Sequence, residues 1–168
     1  EKELAWRTNV VGTENIVEAL SSSAPDACFV YISTACVFRG DRGNYGENDI
    51  PDPVNFYGLT KLIGEFAAKR MKNHLVIRTN FVPRDPWKHD RAFTDRYGTY
   101  LFADDVARGT KEVVEKNLTG IVHVCGDKKM SMFELAKMVS PDVKPFTMEE
   151  YAATSDVHLT KDMTLRSV

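Results

Sequence analysis

The sequence lacks a long apolar run, a strong excess of charge of either sign, and an apolar leader at its first residues. A helix that crosses a bilayer needs about 20 consecutive apolar residues, and no stretch approaches that length. The formal net charge of -2 gives no electrostatic reason to expect nucleic acid or an anionic membrane as a partner. Residues 1–7 carry mixed charges, which excludes a signal peptide at this position.

Cysteine is scarce, and neither cysteine nor histidine shows the spacing of a metal site. The chain has three cysteines, Cys28, Cys36 and Cys125, without a Cys-x-x-Cys pair. Its four histidines are scattered: His74, His89, His123 and His158. An odd number of unpaired thiols argues against a disulfide framework. We therefore predict no metal site, surface or strand-end positions for the histidines, and a reducing, cytoplasmic setting.

A glycine-rich phosphate-binding turn is also missing. The ten glycines nowhere form Gly-x-Gly-x-x-Gly, the turn that joins a strand to a helix and holds a pyrophosphate in nucleotide-binding α/β proteins. The first segment has a helical pattern instead. We therefore expect the second half of a doubly wound fold from a longer protein, and we expect the isolated chain to bind a dinucleotide weakly.

Helix-like and strand-like segments alternate along the 168 residues, which is typical of an α/β domain with a parallel sheet. The apolar patterns predict helices over residues 8–20, 57–72 and 103–116, and strands over residues 27–32, 74–78 and 120–124. Ser131 and Glu134 match a capping box at a further helix start. The tail after Pro141 has only a weak pattern.

Tyr57 and Lys61 are four residues apart, which puts two side chains on one face of a helix. An ammonium beside a phenol lowers the tyrosine pKa from its ordinary value of about 10. At roughly 4 Å and an effective dielectric constant of about 20 the attraction is about 4 kcal/mol, which brings the hydroxyl into range for acid–base chemistry. The alternative is an exposed helix pair, with Lys61 salt-bridged to Glu65.

Ser33 and Thr34 follow the first predicted strand directly. Parallel sheets place their ligand sites at the carboxyl ends of the strands, so a hydroxyl there can contact a substrate carbonyl or the Tyr57 phenol. The alternative is a simple turn, which serine and threonine also favour. The combination of a strand-end hydroxyl and a helical Tyr/Lys pair is much rarer than either feature alone.

Several stretches together resemble the extended short-chain dehydrogenase/reductases, and among them most closely the dTDP-4-dehydrorhamnose reductases. They are NVVGTEN at residues 9–15, YISTACVFRG at 31–40, PVNFYGLTKLIGE at 53–65, Arg78-Thr79, and GIVHVCG at 120–126. The resemblance implies an α/β fold: the C-terminal portion of a Rossmann-like doubly wound parallel sheet plus a small substrate-binding region. It places the catalytic half at residues 1–80 and the substrate-binding region at 81–168.

The resemblance also implies an NAD(P)-dependent oxidoreductase that reduces a 4-keto-6-deoxy nucleotide sugar. Tyr57 would protonate the substrate oxygen, and Lys61 would hold the ribose of NADP or NAD. Thr34 would bind the reacting carbonyl, with Ser33 beside it on the cofactor side. Ala35 would face the sugar.

Two further expectations concern binding. Trp87 and Arg91 lie in an irregular polar segment and could hold a nucleotide base and its phosphates, although an ordinary solvated loop is the alternative. Members of the superfamily commonly dimerise through the helices that correspond to residues 8–20 and 57–72, which implies a homodimer.

The sequence departs from the reductase pattern in ways that leave other functions open. Ala35 and Cys36 replace the Asp-Tyr pair usual in the reductases, and residues 81–100 are shorter than the family's substrate-covering region. A non-catalytic regulatory subunit of the methionine adenosyltransferase β type therefore stays possible, as does an epimerase. A dehydratase is disfavoured, because its usual Asp-Glu pair does not follow Thr34.

Overall fold

The computed structural model describes residues 1–155 and 159–167, so His158 lies outside the described residues. The helices are α1 (Lys2–Trp6), α2 (Gly12–Ser23), α3 (Phe56–Ala68), α4 (Ala103–Glu115), α5 (Met132–Lys137) and α6 (Met148–Ala152). The strands are β1 (Cys28–Thr34), β2 (Asn73–Thr79), β3 (Phe81–Val82), β4 (Arg91–Phe93), β5 (Tyr97–Gly98), β6 (Leu101–Phe102), β7 (Gly120–His123), β8 (Met130–Ser131), β9 (Lys144–Phe146) and β10 (Asp162–Met163). Within these described residues no helix is both long and apolar enough to cross a membrane.

The central sheet has the strand order β1-β2-β7, and both of its strand pairs are parallel. The three strands were predicted as apolar runs, because strands covered on both faces need apolar residues at successive positions. Leu75, Val76 and Ile77 in the middle strand are completely buried. Thr34 pairs with Thr79, so the carboxyl ends of β1 and β2 meet at one edge of the sheet. The predicted α/β architecture with a parallel sheet is confirmed.

The first helical segment is longer than predicted and contains an irregular turn. Helix α1 continues through a π-helical stretch, Arg7–Val11, into α2. A π-helical turn inserts one extra residue per turn and is often found at functional sites. Within it, the Asn9 side-chain amide donates a hydrogen bond to the Thr60 hydroxyl on α3 at 3.1 Å. The π-helical stretch is therefore fixed directly to the helix that carries Tyr57 and Lys61.

Helix α3 begins at Phe56, where the side chain of Asn55 accepts a hydrogen bond from the Gly58 amide at 2.7 Å. This N-cap satisfies a backbone donor that has no partner inside the helix. Gly58 is required by close packing, because a Cβ there would lie 2.1 Å from the Cys36 carbonyl oxygen. The start of α3 thus lies directly against the residues that follow β1.

The spacing of Leu59, Leu62, Ile63, Phe66 and Met71 predicts one buried apolar stripe along this helix. The prediction is wrong at two of these positions. Leu59 and Phe66 are 41% and 59% exposed, whereas the buried positions of the helix are Gly58, Thr60, Gly64, Glu65, Ala67 and Ala68. Small residues let the helix approach β1 closely, and Glu65 is accommodated by buried polar partners. The helix also ends at Ala68, four residues before the predicted end.

Short strand pairs and helices surround the carboxyl edge of the sheet. They are β3 with β6, β4 with β9, and β5 with β8 and β10. The capping box of Ser131 and Glu134 is confirmed at the start of α5. A second one, Thr147 with Glu150, starts α6 in the tail that sequence patterns had left undefined.

Candidate active site

Thr34 and Tyr57 meet at the carboxyl end of β1. Thr34 is the last residue of the strand, and its hydroxyl accepts a hydrogen bond from the Cys36 amide at 3.2 Å. Tyr57 is the second residue of α3 and is 49% exposed, and its hydroxyl lies near enough to the Thr34 side chain for that side chain to lower its pKa. The structure therefore brings together two of the three predicted catalytic residues, with the phenol accessible from solvent.

The expected lowering of the Tyr57 pKa by Lys61 is not found. Partial burial raises the pKa of the Tyr57 hydroxyl above its ordinary value, Cys36 raises it further, and the polar side chain of Thr34 opposes both effects. Lys61 is not among the groups that shift it. In this arrangement Tyr57 is held in its protonated form, which is the form that can donate a proton.

Lys61 lies one helical turn beyond Tyr57, and its ammonium sits over the ring of Tyr31, 4.1 Å from the ring centroid. Burial lowers the pKa of Lys61 to about 8, and the charge of Glu65 opposes this shift. A salt bridge between Lys61 and Glu65 had been the alternative interpretation of this motif. Glu65 instead forms an ion pair with Arg78, so the Lys61 ammonium forms no ion pair with the Glu65 carboxylate.

Glu65 and Arg78 form a buried ion pair behind the site. The Arg78 guanidinium donates two hydrogen bonds to the Glu65 carboxylate, at 2.9 and 2.7 Å. Ser33 donates a third, at 2.6 Å. The Glu65 and Arg78 side chains are 0% and 1% exposed. Three donors around one carboxylate compensate for its removal from water.

Ser33 therefore points away from Thr34 and Tyr57. Successive residues of a strand face opposite sides of the sheet, so only one of the two hydroxyls can reach the Tyr57 side. Ala35 is completely buried and packs with Val37 and Phe38 in the core. The structure does not bring either residue to the accessible surface near Tyr57, and their predicted contacts with cofactor and sugar stay predictions.

Trp87 and Arg91 lie together at a separate cavity. The Trp87 indole donates a hydrogen bond to the Arg91 carbonyl at 3.2 Å, and the Arg91 guanidinium lies 4.4 Å from the centre of the Phe146 ring. Both residues line a cavity of about 460 Å³, whose walls include Arg96, Met132, Phe146 and Tyr151. The mixture of flat aromatic and cationic walls can accommodate a planar ring attached to anionic groups.

Tyr100 and Arg96 are two further residues to which the sequence patterns assign no role, and Arg96 is part of the cavity wall. Burial raises the pKa of Tyr100 to about 12, with Arg96 opposing the shift and Cys36 adding to it. Arg96 and Cys36 therefore both influence the Tyr100 hydroxyl electrostatically. Gly98 is needed here, because a Cβ would lie 2.7 Å from the Tyr100 ring. An aromatic two residues beyond a glycine was too common a pattern to single out.

The thiols and histidines form no metal site in the described ranges, residues 1–155 and 159–167. No group of three or more possible ligands is found there, and Cys28, Cys36 and Cys125 are free. His123 was predicted at a strand end and does end β7, but its side chain is completely buried. Burial lowers its pKa below the ordinary value, despite the nearby Glu47 carboxylate.

We expect Lys61→Met to stabilise the chain at pH 7 by roughly 1–3 kcal/mol, because methionine fills a similar volume without burying a charge. The folded-state pKa of Lys61, about 8, lies below its unfolded value of about 10.4. Between these values the unfolded state binds more protons, so wild-type stability rises with pH through that window. The advantage of the variant should therefore shrink as the pH rises from 8 to about 10.4.

Urea unfolding at pH 7 and pH 10 measures this difference. Lys69→Met, at an exposed position directly after α3, is the matched control and should show little difference at either pH. A stability difference for Lys61→Met that does not change with pH would contradict the expectation.

Comparison with known proteins shows which family this arrangement belongs to. Residues 1–87 match the RmlD substrate binding domain family. The chain is 31% identical over 156 residues to dTDP-4-dehydrorhamnose reductase of Mycolicibacterium smegmatis, covering 82% of this chain and 47% of that protein. It is 28% identical over 185 residues to methionine adenosyltransferase 2 subunit beta of Xenopus laevis, covering 92% of this chain and 55% of that protein.

Solved structures give the same result for the fold. The dTDP-4-dehydrorhamnose reductase of Bacillus anthracis in complex with NADP has a TM-score of 0.86 at 25% identity, over 100% of this chain and 66% of that one. A hypothetical dTDP-4-dehydrorhamnose reductase of Sulfolobus tokodaii has a TM-score of 0.82 at 33% identity, over 99% of this chain and 65% of that one. These matches confirm the predicted Rossmann-like fold.

The chain spans about half the length of the curated relatives it matches and less than two thirds of the chain with NADP. The match to the family model covers more than half of the chain, and it includes Thr34, Tyr57 and Lys61. This chain belongs to the RmlD substrate binding domain family, within the extended short-chain dehydrogenase/reductases.

Proposed function

We propose that this chain carries the proton-transfer site of an NAD(P)-dependent reductase acting on a 4-keto-6-deoxy nucleotide sugar. One observation carries the proposal: the accessible Tyr57 hydroxyl lies near the Thr34 side chain at the carboxyl edge of the sheet. Lys61 follows one turn later with no carboxylate partner among the described residues. Relatives of this family include reductases named for dTDP-4-dehydrorhamnose.

The side chains at this site are suited to two tasks of such a reaction, which are proton donation to the substrate and binding of the cofactor. The half-exposed phenol of Tyr57 can deliver a proton to an oxygen placed beside Thr34, whose hydroxyl can hydrogen-bond the same oxygen. The Lys61 ammonium can hold ribose hydroxyls, so Tyr57, Lys61 and Thr34 fit the nicotinamide end of NADP or NAD. A bound nicotinamide supplies the hydride. Because Tyr57 is held protonated, it enters the reaction in the form that reduction requires.

Mass spectrometry of the product tests the reaction type. The complete protein that contains this chain would be incubated with reduced NAD(P) and a dTDP-4-keto-6-deoxy sugar. Reduction adds one hydride and one proton, so the product should be heavier than the substrate by these two atoms. A product of unchanged mass but altered stereochemistry would indicate an epimerase instead. No new product would count against any catalytic function on this substrate.

A second candidate function is supported by the buried position of Ala35. The usual polar pair after the catalytic threonine is replaced here by Ala35, which is completely buried, and Cys36. The chain is similar over 92% of its length to a protein named as a subunit of methionine adenosyltransferase. A regulatory subunit would need the fold and its surfaces but no turnover. Calorimetry with a methionine adenosyltransferase catalytic subunit would show binding in that case and none for a self-sufficient reductase.

We propose further that residues 81–168 form the substrate-binding region on the catalytic residues 1–80, with the nucleotide in the cavity of Trp87 and Arg91. The electrostatic influence of the cavity residue Arg96 on Tyr100, and of Cys36 on both Tyr100 and Tyr57, supports this placement. The base would stack on an aromatic wall, and the phosphates would pair with the guanidinium groups.

Trp87→Ala should weaken the binding of dTDP, measured by calorimetry. Stacking of a base on an aromatic side chain contributes about 1–3 kcal/mol, so the expected increase in Kd is roughly five- to 150-fold. The other tryptophan, Trp6, packs against Phe56 instead, and Trp6→Phe should leave the Kd unchanged. Equal Kd values for wild type and Trp87→Ala would remove Trp87 from the nucleotide site.

We also propose a homodimer formed through the first helical segment and α3. Exposed apolar side chains on these helices are Leu4, Trp6, Val11, Ile16, Leu59 and Phe66. Leu59 and Phe66 are two turns apart and lie on one face of α3, outside the buried face that packs on β1. Burying such a stripe against a second copy removes apolar surface from water. The three free thiols are compatible with a reducing, cytoplasmic setting for this assembly.

Sedimentation velocity measures the assembly. Phe66→Glu should shift a micromolar sample from dimer to monomer, because it places a charge in the proposed interface. Leu118→Glu, which introduces the same charge at an exposed apolar position outside these helices, is the control and should leave the assembly unchanged. A wild-type chain that sediments only as a monomer would exclude the proposed dimer.

A further inference from the structure

The Lys61 ammonium is located by an aromatic ring and not by an anion. Its Nζ atom lies 4.1 Å from the centroid of the Tyr31 ring. Tyr31 is 7% exposed, so the ring is fixed in the interface between β1 and α3. A lysine ammonium over the face of an aromatic ring is attracted by the ring quadrupole, more strongly where water is partly excluded.

The nearest carboxylate on the helix, that of Glu65, already accepts three hydrogen bonds from other residues. Glu65 follows Lys61 on the same face of α3 and would be its natural partner at this spacing. Its carboxylate instead accepts two hydrogen bonds from Arg78 and one from Ser33. Ser33 and Tyr31 lie on the same face of β1, so one strand face both occupies Glu65 and presents the ring to Lys61.

Gly64 makes room for the ring. A Cβ at this position would lie 2.1 Å from the Tyr31 hydroxyl oxygen and 2.8 Å from the Asn9 carbonyl oxygen. The absence of a side chain lets the phenol lie across α3, with its hydroxyl 3.4 Å from the Lys61 carbonyl oxygen. The Tyr31 ring is therefore fixed by its attachment to β1 and by its hydroxyl group at α3. Its face keeps a constant position for the Lys61 ammonium.

We propose that Tyr31 is a positioning residue for Lys61: its ring face holds the ammonium on α3, one helical turn from Tyr57, while Ser33 and Arg78 keep Glu65 from pairing with it. Tyr31 touches neither substrate nor cofactor in this role. The inference rests on the proposed function, since that function gives the placement of Lys61 its purpose. The experiment below measures the position of Lys61 and not turnover, so the two can fail separately.

The test is an NMR titration of Lys61 in this chain. Lysine side chains would be labelled by ¹³C reductive methylation, and the Lys61 signal would be assigned with Lys61→Arg. Three variants are compared with wild type. Tyr31→Phe keeps the ring, Tyr31→Leu removes it, and Phe29→Leu removes a ring from the same face of β1 that contacts Tyr31 but not Lys61. The charged and titratable groups around Lys61 are Glu65, Tyr57 and Tyr31, with Arg78 behind Glu65, and only Tyr31 changes.

In wild type, Tyr31→Phe and Phe29→Leu the Lys61 amine should titrate near pH 8, and its methyl signals should be displaced upfield by the ring. In Tyr31→Leu the ammonium should move into water. The midpoint should then rise toward about 10.4, at least a tenfold change in the deprotonation equilibrium. An unchanged or lowered midpoint in Tyr31→Leu would overturn the proposal, because Lys61 would then stay in place without the ring.

Two further results test the proposal in case a substitution loosens the packing around Tyr31 or prevents folding. An equal rise in Phe29→Leu would attribute the effect to loosened packing and overturn the specific role of Tyr31. If Tyr31→Leu does not fold, the wild-type spectrum decides. Upfield-displaced Lys61 methyl signals, retained in Tyr31→Phe, support the ring contact, and ordinary shifts contradict it.

Discussion

Replacing Arg78 with methionine is expected to destabilise the fold by about 3–5 kcal/mol, because it leaves the Glu65 carboxylate buried without its charged partner. Two of the three hydrogen bonds to that carboxylate come from Arg78, and Glu65 is completely buried. Methionine fills part of the same space but donates nothing. Urea unfolding at neutral pH measures the loss as a lower midpoint.

The double variant Arg78→Met/Glu65→Leu separates the buried charge from the packing. Replacing both members of a buried ion pair by apolar residues is often nearly neutral, so the double variant should regain much of the stability lost in Arg78→Met. Arg70→Met, at an exposed position just beyond α3, is the control and should cost little. A double variant as unstable as Arg78→Met alone would show that packing, not the unpaired carboxylate, is responsible.

The second large effect concerns Tyr57. In the complete protein, Tyr57→Phe should lower kcat for reduction of a 4-keto-6-deoxy nucleotide sugar by about 10²- to 10⁴-fold, the usual contribution of a positioned general acid. The ring and its packing remain, so KM should change little. Steady-state kinetics with reduced NAD(P) provide both constants.

Tyr97→Phe is the matched control for that measurement. Tyr97 keeps its ring contact with Lys129 in this variant, and it lies on β5, outside the catalytic residues. Its kcat should equal that of wild type. A Tyr57→Phe variant with unchanged kcat would remove Tyr57 from the chemistry, whatever the reaction proves to be.

Sequence patterns predicted the sheet well because its strands are covered on both faces. Strands such as β2 need apolar residues at successive positions, so their runs were visible without alignment. The strand-end position of Thr34 and the helical position of Tyr57 followed from the same pattern. The capping box at Ser131 was predictable because both of its hydrogen bonds are local.

Helix α3 shows what the sequence could not reveal. Its buried face is built from glycine, alanine, threonine and Glu65, because β1 lies close to the helix and buried polar partners surround the carboxylate. Apolar periodicity therefore includes Leu59 and Phe66, which are exposed, and omits the buried Glu65. The partner of Glu65 is thirteen residues away on β2, and no local rule links the two.

The side-chain positions in the site also depend on tertiary contacts that the sequence pattern does not reveal. Spacing correctly placed Tyr57 and Lys61 on one helix, but it could not show that the ammonium lies over Tyr31 or that partial burial raises the Tyr57 pKa. Likewise, strand alternation requires Ser33 and Thr34 to face opposite ways. Only the position of α3 determines which of them reaches Tyr57.

In the function that we propose, the edge of the sheet at Thr34, Tyr57 and Lys61 is a working reductase site. The most direct test is the consumption of NADPH or NADH by the complete protein, followed by absorbance, with and without a dTDP-4-keto-6-deoxy sugar. We expect consumption that depends on the sugar. Binding of both sugar and reduced cofactor without any sugar-dependent consumption would contradict the claim and favour the regulatory function.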